Sequence, residues 1–187
     1  MDLVRRALDE TELPARVFNP THINRRRGLF DEAISLARAG CTVDITAFPV
    51  EEGEDAWAAD VALTRYLESG APPGRITVSS DGGGCLPVFN EQGEMLHMDI
   101  GRPDSLVQTL ATLLSDNQPL DAVLPAFTSN VATLLRLHDR GRIHEGLAAD
   151  LVVLDEEHHV RDVMIAGIWH VNEGQQQVFG QFESKDT

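Results

Sequence analysis

Two kinds of hydrophobic pattern follow one another along the first half of the chain. Three segments have apolar residues at helical spacing, namely residues 2–10, 29–39 and 54–69. Three short runs between them are apolar or rich in β-branched residues, namely residues 16–18, 41–48 and 75–79. After the first helix the order is therefore strand, helix, strand, helix, strand. Connections of this length predict parallel strands joined by right-handed helical crossovers, the repeating unit of α/β folds.

The second half of the chain has a different pattern. Residues 86–98 predict a small hairpin whose turn contains Gln92 and Gly93. Three helices are predicted after it, with starts near residues 103, 119 and 128. Short β-rich runs then follow at residues 150–154, 160–165, 168–171 and 177–179. We therefore expect a boundary near residue 141, between α/β units and an antiparallel β region.

Composition excludes several classes of function. The 187 residues include 30 acidic and 15 basic side chains, and the net charge of -15 disfavours a nucleic-acid or anionic-membrane partner. No apolar run approaches the roughly 18 residues of a membrane span, and the N-terminus lacks a signal-peptide core. Cys41 and Cys85 have neither paired nor metal-type spacing, which suits a reducing cytosol. We expect a cytoplasmic protein, too short for a whole (β/α)8 barrel of about 250 residues.

Asp81 is the first candidate for chemistry. It follows the predicted strand at residues 75–79 and precedes the glycines at residues 82–84, which cannot continue a strand and allow close approach to a ligand. In a β/α barrel the carboxyl ends of the strands form the catalytic face, so an acid there is a catalytic candidate. The alternative is structural, because aspartate often forms an Asx turn where a strand ends.

His22 is the second candidate. Pro20 has no N–H to donate to a neighbouring strand, so the run at residues 16–18 should end there and leave His22 on the exit loop. A single loop histidine is usually only solvated. Here Thr21, Asn24 and Arg25 lie beside it, a combination suited to an anionic ligand.

Four elements occur in a specific order along the chain. They are THINR at residues 21–25, SSDGGG at 79–84, GRIHEGLAADLVVLD at 141–155, and a tail in which Val163, Gly167, Val171 and Gly174 recur. In this order they resemble the C-terminal half of the bacterial isoaspartyl dipeptidases, or β-aspartyl peptidases, of the amidohydrolase superfamily. The resemblance covers essentially the whole chain, and the first two motifs together distinguish the family within the superfamily.

This resemblance implies a fold in two parts. Residues 1–140 would be the last three βα units of a partial (β/α)8 metallo-dependent hydrolase barrel. Residues 141–187 would be the antiparallel portion of a small β-sandwich. The resemblance also implies a binuclear zinc centre at the carboxyl ends of the barrel strands, and hydrolysis of β-aspartyl dipeptides by a metal-activated hydroxide.

Individual site residues follow from the same resemblance. His22 matches the family's last metal-binding histidine, and Asp81 matches the aspartate that contacts a metal and shuttles the proton of the attacking water. Arg25 matches the arginine that binds the α-carboxylate of the substrate. Cys85 stands at the position where relatives usually have a serine near the substrate, and this departure from the family pattern weakens the match at that contact.

The family's other metal ligands have no counterpart in this sequence. They are a His-x-His pair, a carboxylated lysine and a further histidine ahead of the one that His22 matches. The other histidines considered are expected to be solvated or structural: His97, His138, His144, His158 and His159. Catalytic zinc normally needs three protein ligands, so the chain should be inactive alone. We expect it to associate with a separate N-terminal half or to form a homo-oligomer.

Two other functions stay open at this point. The chain could be a non-catalytic remnant or a module for subunit contacts, in which His22 and Asp81 have no chemical role. It could also belong to another amidohydrolase, such as a dihydroorotase-like enzyme or a deacetylase. Arg25, three residues after His22, favours a substrate with a free carboxylate.

Overall fold

A parallel pair of strands, with helices packed against it, organises the first half of the structure. The computed structural model describes residues 1–89, 92–181 and 183. The helices are α1 (Asp2–Glu10), α2 (Arg27–Arg38), α3 (Ala59–Glu68), α4 (Ser105–Ser115), α5 (Leu120–Val123) and α6 (Ser129–Leu134). Short 3₁₀ turns occupy Ala15–Val17, Ile23–Arg25, Pro73–Arg75 and Leu124–Phe127. The α/β class predicted from the sequence is confirmed.

Three separate sheets contain the strands. A parallel pair is formed by β1 (Val43–Thr46) and β2 (Ile76–Ser79), and an antiparallel hairpin by β3 (Cys85–Phe89) and β4 (Met95–Ile100). A four-stranded antiparallel sheet contains β5 (Leu151–Leu154), β6 (Val160–Ile165), β7 (Ile168–Asn172) and β8 (Gln175–Gln176) in that order. The antiparallel character of the region after residue 141 is confirmed, whereas the division into two domains at that residue stays a prediction.

The apolar core lies on one face of the parallel pair. β-branched residues alternate along both strands and pack with side chains of α2 and α3, because successive residues of a strand point to opposite faces. The core residues from these elements include Phe30, Ile34, Val43, Ile45, Leu63, Tyr66, Ile76 and Val78. Leu113 of α4 and Val123 of α5 belong to the same core. The other face of the two strands is polar and leads to the candidate site.

The predicted strand at residues 16–18 is wrong. Ala15–Val17 forms a 3₁₀ turn, and only the segment after it is extended. The carbonyl of Phe18 accepts a hydrogen bond from Thr42 N at 3.3 Å, and the carbonyl of Pro20 accepts one from Asp44 N at 2.9 Å. Since Pro20 has no N–H, the segment cannot form a complete ladder with β1. It nevertheless runs alongside β1.

Two other predicted strands also differ from the structure. The hairpin at residues 86–98 is confirmed in its strands, but Asn90 and Glu91 of its connection lie outside the described residues. The predicted strand at residues 177–179 is wrong, because the last strand is Gln175–Gln176. None of the described helices combines the length and the apolar character needed to cross a lipid bilayer.

We expect Gly141→Ala to destabilise the fold more than Gly146→Ala. Both glycines have positive φ, 87° and 89°, so alanine is strained at either position. At Gly141 a Cβ would also lie 2.5 Å from Ala132 Cβ and 3.2 Å from the carbonyl oxygen of Thr128, whereas nothing lies within 4 Å at Gly146. The extra cost should be roughly 1–3 kcal/mol, measured by urea unfolding of both variants. Equal losses would show that the contact between Gly141 and α6 can relax freely.

Candidate functional site

The structure brings His22, Arg25 and Asp81 together. His22 follows the extended segment on one side of β1, and Asp81 follows β2 on the other side. His22 Nε2 lies 3.9 Å from Asp81 Oδ2, and Arg25 Nη2 lies 3.6 Å from the same oxygen. All three side chains are about one-third exposed, at 37%, 39% and 33% for His22, Arg25 and Asp81. The site is therefore open to a ligand.

His22 and Asp81 share an uncommon backbone conformation. Their φ angles are 57° and 50°, in the left-handed region that non-glycine residues rarely adopt. Arg25 N donates to the carbonyl of His22 at 3.2 Å, and Gly84 N donates to the carbonyl of Asp81 at 2.8 Å. Such conformations persist only where the surroundings hold them, and they cluster at functional sites. In both cases the left-handed residue turns the chain where the strand-like segment ends.

Asn24 fixes the loop that carries His22 and Arg25. Its side chain is fully buried and donates from Nδ2 to the carbonyls of Thr46 at 2.9 Å and Trp57 at 2.8 Å. Its Oδ1 accepts a hydrogen bond from Thr46 N at 2.9 Å. The sequence interpretation of Asn24 as part of an anion site is therefore wrong. Asn24 ties the loop to the end of β1, because three backbone groups there would otherwise be unpaired.

The ring of His22 is held at its other nitrogen. His22 Nδ1 lies 2.8 Å from Thr46 Oγ1, a hydrogen-bond distance. Nε2 is therefore the nitrogen that faces Asp81. A hydrogen bond to the remote ring nitrogen is the arrangement that orients metal-binding histidines in proteins. Thr46 thus fixes the direction in which His22 can offer a ligand atom.

Arg25 is held without being fully paired. Its guanidinium carbon lies 5.3 Å from the centre of the Phe48 ring, a cation–π distance. The 3.6 Å separation from Asp81 Oδ2 is longer than a strong charged hydrogen bond. The planar group therefore retains donors that can bind a carboxylate.

Asp44 lies beneath these three residues on the polar face of the parallel pair. It is 4% exposed, and its oxygens accept hydrogen bonds from Thr77 Oγ1 and Ser79 Oγ, both at 2.6 Å. Burial raises the pKa of the Asp44 carboxyl, and the two hydroxyls and His22 oppose that shift. The charge of Asp81 raises the pKa of Asp44 further. Asp44 is therefore within electrostatic reach of both His22 and Asp81.

Gly83, Gly84 and Gly101 form a narrow connection, the glycine neck, between Asp81 and the β3–β4 hairpin. Gly83 N donates to the carbonyl of Gly101 at 2.9 Å, and Gly101 N donates to the carbonyl of Gly84 at 2.8 Å. A Cβ at Gly84 would lie 2.6 Å from Asp81 Oδ1, and one at Gly101 would collide with the carbonyl oxygen of Asp81. Gly84 thus lies close to Asp81, whereas the approach of the glycine run to a ligand stays a prediction. Cys85, the first residue of β3, is exposed, and among the described residues no hydrogen bond or ion pair joins it to the other three.

Two donors of this chain fit positions in a zinc centre. Imidazole nitrogen and carboxylate oxygen are both zinc ligands, and two ligands of one tetrahedral zinc lie roughly 3.4 Å apart. The 3.9 Å between His22 Nε2 and Asp81 Oδ2 is slightly longer than this. Within residues 1–89, 92–181 and 183, no group of three or more His, Cys, Asp or Glu side chains is arranged to hold a metal ion. The described residues therefore offer two donors that fit a zinc centre and not a complete set of ligands.

Sequence reasoning missed Asp44 and Thr46. A strand of a buried parallel sheet is usually a nearly continuous apolar run, and Asp44 and Thr46 interrupt β1 at alternate positions. That alternation was the available signal, because it places both side chains on one face. The prediction of a strand at residues 41–48 rests on β-branched content, which does not distinguish its polar face from its apolar face.

Solved structures provide the comparison with known proteins. The chain is similar to the β-aspartyl dipeptidase of Fervidobacterium islandicum AW-1 in complex with a β-Asp-Leu dipeptide, with 28% sequence identity and a TM-score of 0.86. This match covers 97% of the present chain and 46% of that chain. A second structure of the dipeptidase from that organism matches with 27% identity and a TM-score of 0.80, over 97% and 45% of the two chains.

A more distant match extends the comparison. An amidohydrolase from Thermotoga maritima MSB8 has 19% identity and a TM-score of 0.57, over 91% of this chain and 40% of that chain, and it shows the fold alone. No family model matches the sequence. The chain spans about half the length of the dipeptidases that it matches.

Asn24→Ala should destabilise the protein by roughly 2–4 kcal/mol, because it leaves buried backbone groups of Thr46 and Trp57 without partners. The matched control is Asn19→Ala, which removes an exposed amide close to the same loop. Urea unfolding monitored by circular dichroism gives both values. Similar small losses of unfolding free energy in the two variants would contradict the role of Asn24 in holding the loop to β1.

Asp44→Asn should raise stability near pH 7. With a folded-state pKa above the ordinary 3.8, Asp44 holds its proton to higher pH in the folded than in the unfolded chain. Its contribution to stability is complete below the unfolded pKa and is lost as pH rises through the folded pKa. The stability difference between the variant and the wild type should therefore grow in favour of the variant as pH rises from about 4.

Urea unfolding at a series of pH values measures that difference, with exposed Asp9→Asn as the control. A difference that stays constant with pH would contradict the burial effect at Asp44.

Proposed function

Because the chain matches the C-terminal half of an amidohydrolase of the β-aspartyl dipeptidase type, we propose that it forms part of a metal-dependent isoaspartyl dipeptidase. The reaction is hydrolysis of the amide bond of a β-aspartyl dipeptide. The observation that carries this function is the convergence of His22, Arg25 and Asp81, with 3.9 Å and 3.6 Å separating the first two from the Asp81 carboxylate.

Each of the three residues has a distinct role. Asp81 and His22 offer the carboxylate and imidazole ligands of a zinc centre. Zinc, when bound, lowers the pKa of water and polarises the amide carbonyl. Asp81 takes the proton of the attacking water and returns it to the departing amine. Its exposed carboxylate at the end of β2 has the access that this transfer requires.

Arg25 selects a substrate with a free carboxylate. Its guanidinium is loosely associated with Asp81 and stacked over Phe48, so it can form a bidentate pair with the α-carboxylate of the substrate. Cys85 lies beyond Asp81 at the start of the hairpin, and we place it near the substrate. A free-carboxylate substrate favours this function and does not exclude another amidohydrolase, such as a dihydroorotase-like enzyme or a deacetylase.

If the chain is part of such an enzyme, its strands belong to a (β/α)8 barrel. The segment ending at Pro20, β1 and β2 are the last three strands of a (β/α)8 barrel within residues 1–140, and residues 141–187 form part of a β-sandwich. In support, β2 pairs only with β1 among the described strands, so its other edge is available to a further strand.

Exposed apolar side chains support association. Val152 and Ile168 on the four-stranded sheet are 60% and 61% exposed, and Leu96 on the hairpin is 62% exposed. Such side chains suit contact with an N-terminal half, or with a second copy of the chain. We propose the N-terminal half, since the matched dipeptidases are about twice as long as this chain. A cytoplasmic location stays a prediction.

One observation favours a non-catalytic role as the second candidate. No group of three metal-binding side chains is found in the described part of the chain, so that part does not by itself complete a zinc centre. As a non-catalytic module it would contribute contacts and no chemistry. Mutation of Asp81 in an assembled enzyme separates the two candidates.

We expect the chain with zinc alone to leave β-Asp-Leu intact, and to hydrolyse it once an N-terminal half of a matched dipeptidase is supplied. In that complex Asp81→Asn should lower kcat by about 10²–10⁴, because the variant cannot accept the proton of water. Exposed Asp121→Asn should leave the rate unchanged. Release of leucine measures turnover. An assembled complex whose turnover is unaffected by Asp81→Asn would favour the non-catalytic role.

A further inference from the structure

Asp44 lies on the same strand face as the residues that lead to His22 and to Asp81. Register pairs Asp44 with Thr77 and Thr46 with Ser79, so these four side chains share one face of the two strands. Thr46 holds the ring of His22, and Ser79 lies two residues before Asp81. The polar face therefore leads directly to the site.

Asp44 is hydrogen-bonded to both chain segments that lead to the site. Its backbone N–H donates to the carbonyl of Pro20 at 2.9 Å, in the segment that leads to His22. Its carboxylate accepts 2.6 Å hydrogen bonds from Thr77 and Ser79, in the strand that leads to Asp81. One residue of β1 thus links the two segments that deliver the ligands.

A carboxylate is a costly way to make this link. Asp44 is 4% exposed, and none of the described Lys or Arg side chains forms an ion pair with it. Asparagine has the same shape and could accept from one hydroxyl while donating to the other. Hydrogen bonding between the strands therefore does not require the negative charge. The charge lies close behind the site, because the Asp44 carboxylate is hydrogen-bonded to Ser79, two residues before Asp81.

We infer that Asp44 is a positioning residue whose buried negative charge strengthens the hold of His22 and Asp81 on a divalent cation. This role rests on the proposed function, in which those two residues are zinc ligands. The charge attracts the cation from beneath the ligands, and the burial of Asp44 away from water reduces screening. The side chain acts through its hydrogen bonds to Thr77 and Ser79, in the strand that leads to Asp81, and through its field.

Zinc titration of the full 187-residue chain tests this role. Addition of ZnCl₂ is monitored by NMR at the imidazole nitrogens of His22, whose resonances are identified by their absence in His22→Ala. In Asp44→Asn the zinc concentration that half-saturates His22 should rise roughly tenfold, the usual effect of losing a partner outside the ligand shell. Asp9→Asn, an exposed carboxylate of α1, should leave it unchanged. Asp44→Glu, which keeps the charge, should recover part of the loss.

A purely structural role of Asp44 predicts different results for stability and for zinc binding. It would lower the unfolding free energy of Asp44→Asn and leave zinc binding at His22 unchanged. Asp44→Thr is a second charge-free variant that suits a strand, and the test uses whichever variant unfolds cooperatively. Loss of the fold in both would also overturn the inference, because Asp44 would then be a structural cross-link.

Failure of the proposed function has a different signature. If zinc does not perturb His22 in the wild type, or if Asp81→Asn binds zinc at His22 as the wild type does, the ligand pair itself is wrong. The role of Asp44 then fails with it. If binding depends on Asp81 but not on Asp44, only the role of Asp44 is overturned.

Discussion

The buried amide of Asn24 is the interaction on which the site depends. It replaces the regular ladder that the proline-containing segment cannot make, and it bonds to both backbone groups of Thr46. Because Thr46 also holds the His22 ring, the backbone clamp and the imidazole contact share one residue. The position of His22 relative to β1 therefore follows from a single side chain that has no chemistry of its own.

Alternation along two short strands separates stability from chemistry. The residues on the apolar face of β1 and β2 pack in the core with Phe30 and Tyr66. The residues on the polar face carry hydroxyl and carboxylate groups that are joined by hydrogen bonds. This row of polar side chains leads to His22 and Asp81. Because every second residue belongs to each face, a slip of one position would exchange core and site together. The chemistry of the site is thus tied to the register that the core enforces.

Much of this arrangement could be predicted from local signals in the sequence. Proline and glycine after strand-like runs correctly placed His22 and Asp81 near segment ends, and the resemblance drawn from the motifs is confirmed by matches at 28% and 27% identity. The run ending at Phe18 was misjudged, because apolar content does not reveal whether a neighbouring strand supplies both donors and acceptors. Asn24 was misjudged for a related reason: its three partners are distant in sequence and become visible only in three dimensions.

The glycine neck has a consequence for how such chains diverge. Gly83, Gly84 and Gly101 close the base of the hairpin by backbone hydrogen bonds, next to Asp81. Insertions, deletions and sequence drift beyond the neck can accumulate without displacing the carboxylate, since loop length costs little free energy once the ends are joined. The hairpin is thus a place where the sequence can change while Asp81 keeps its position.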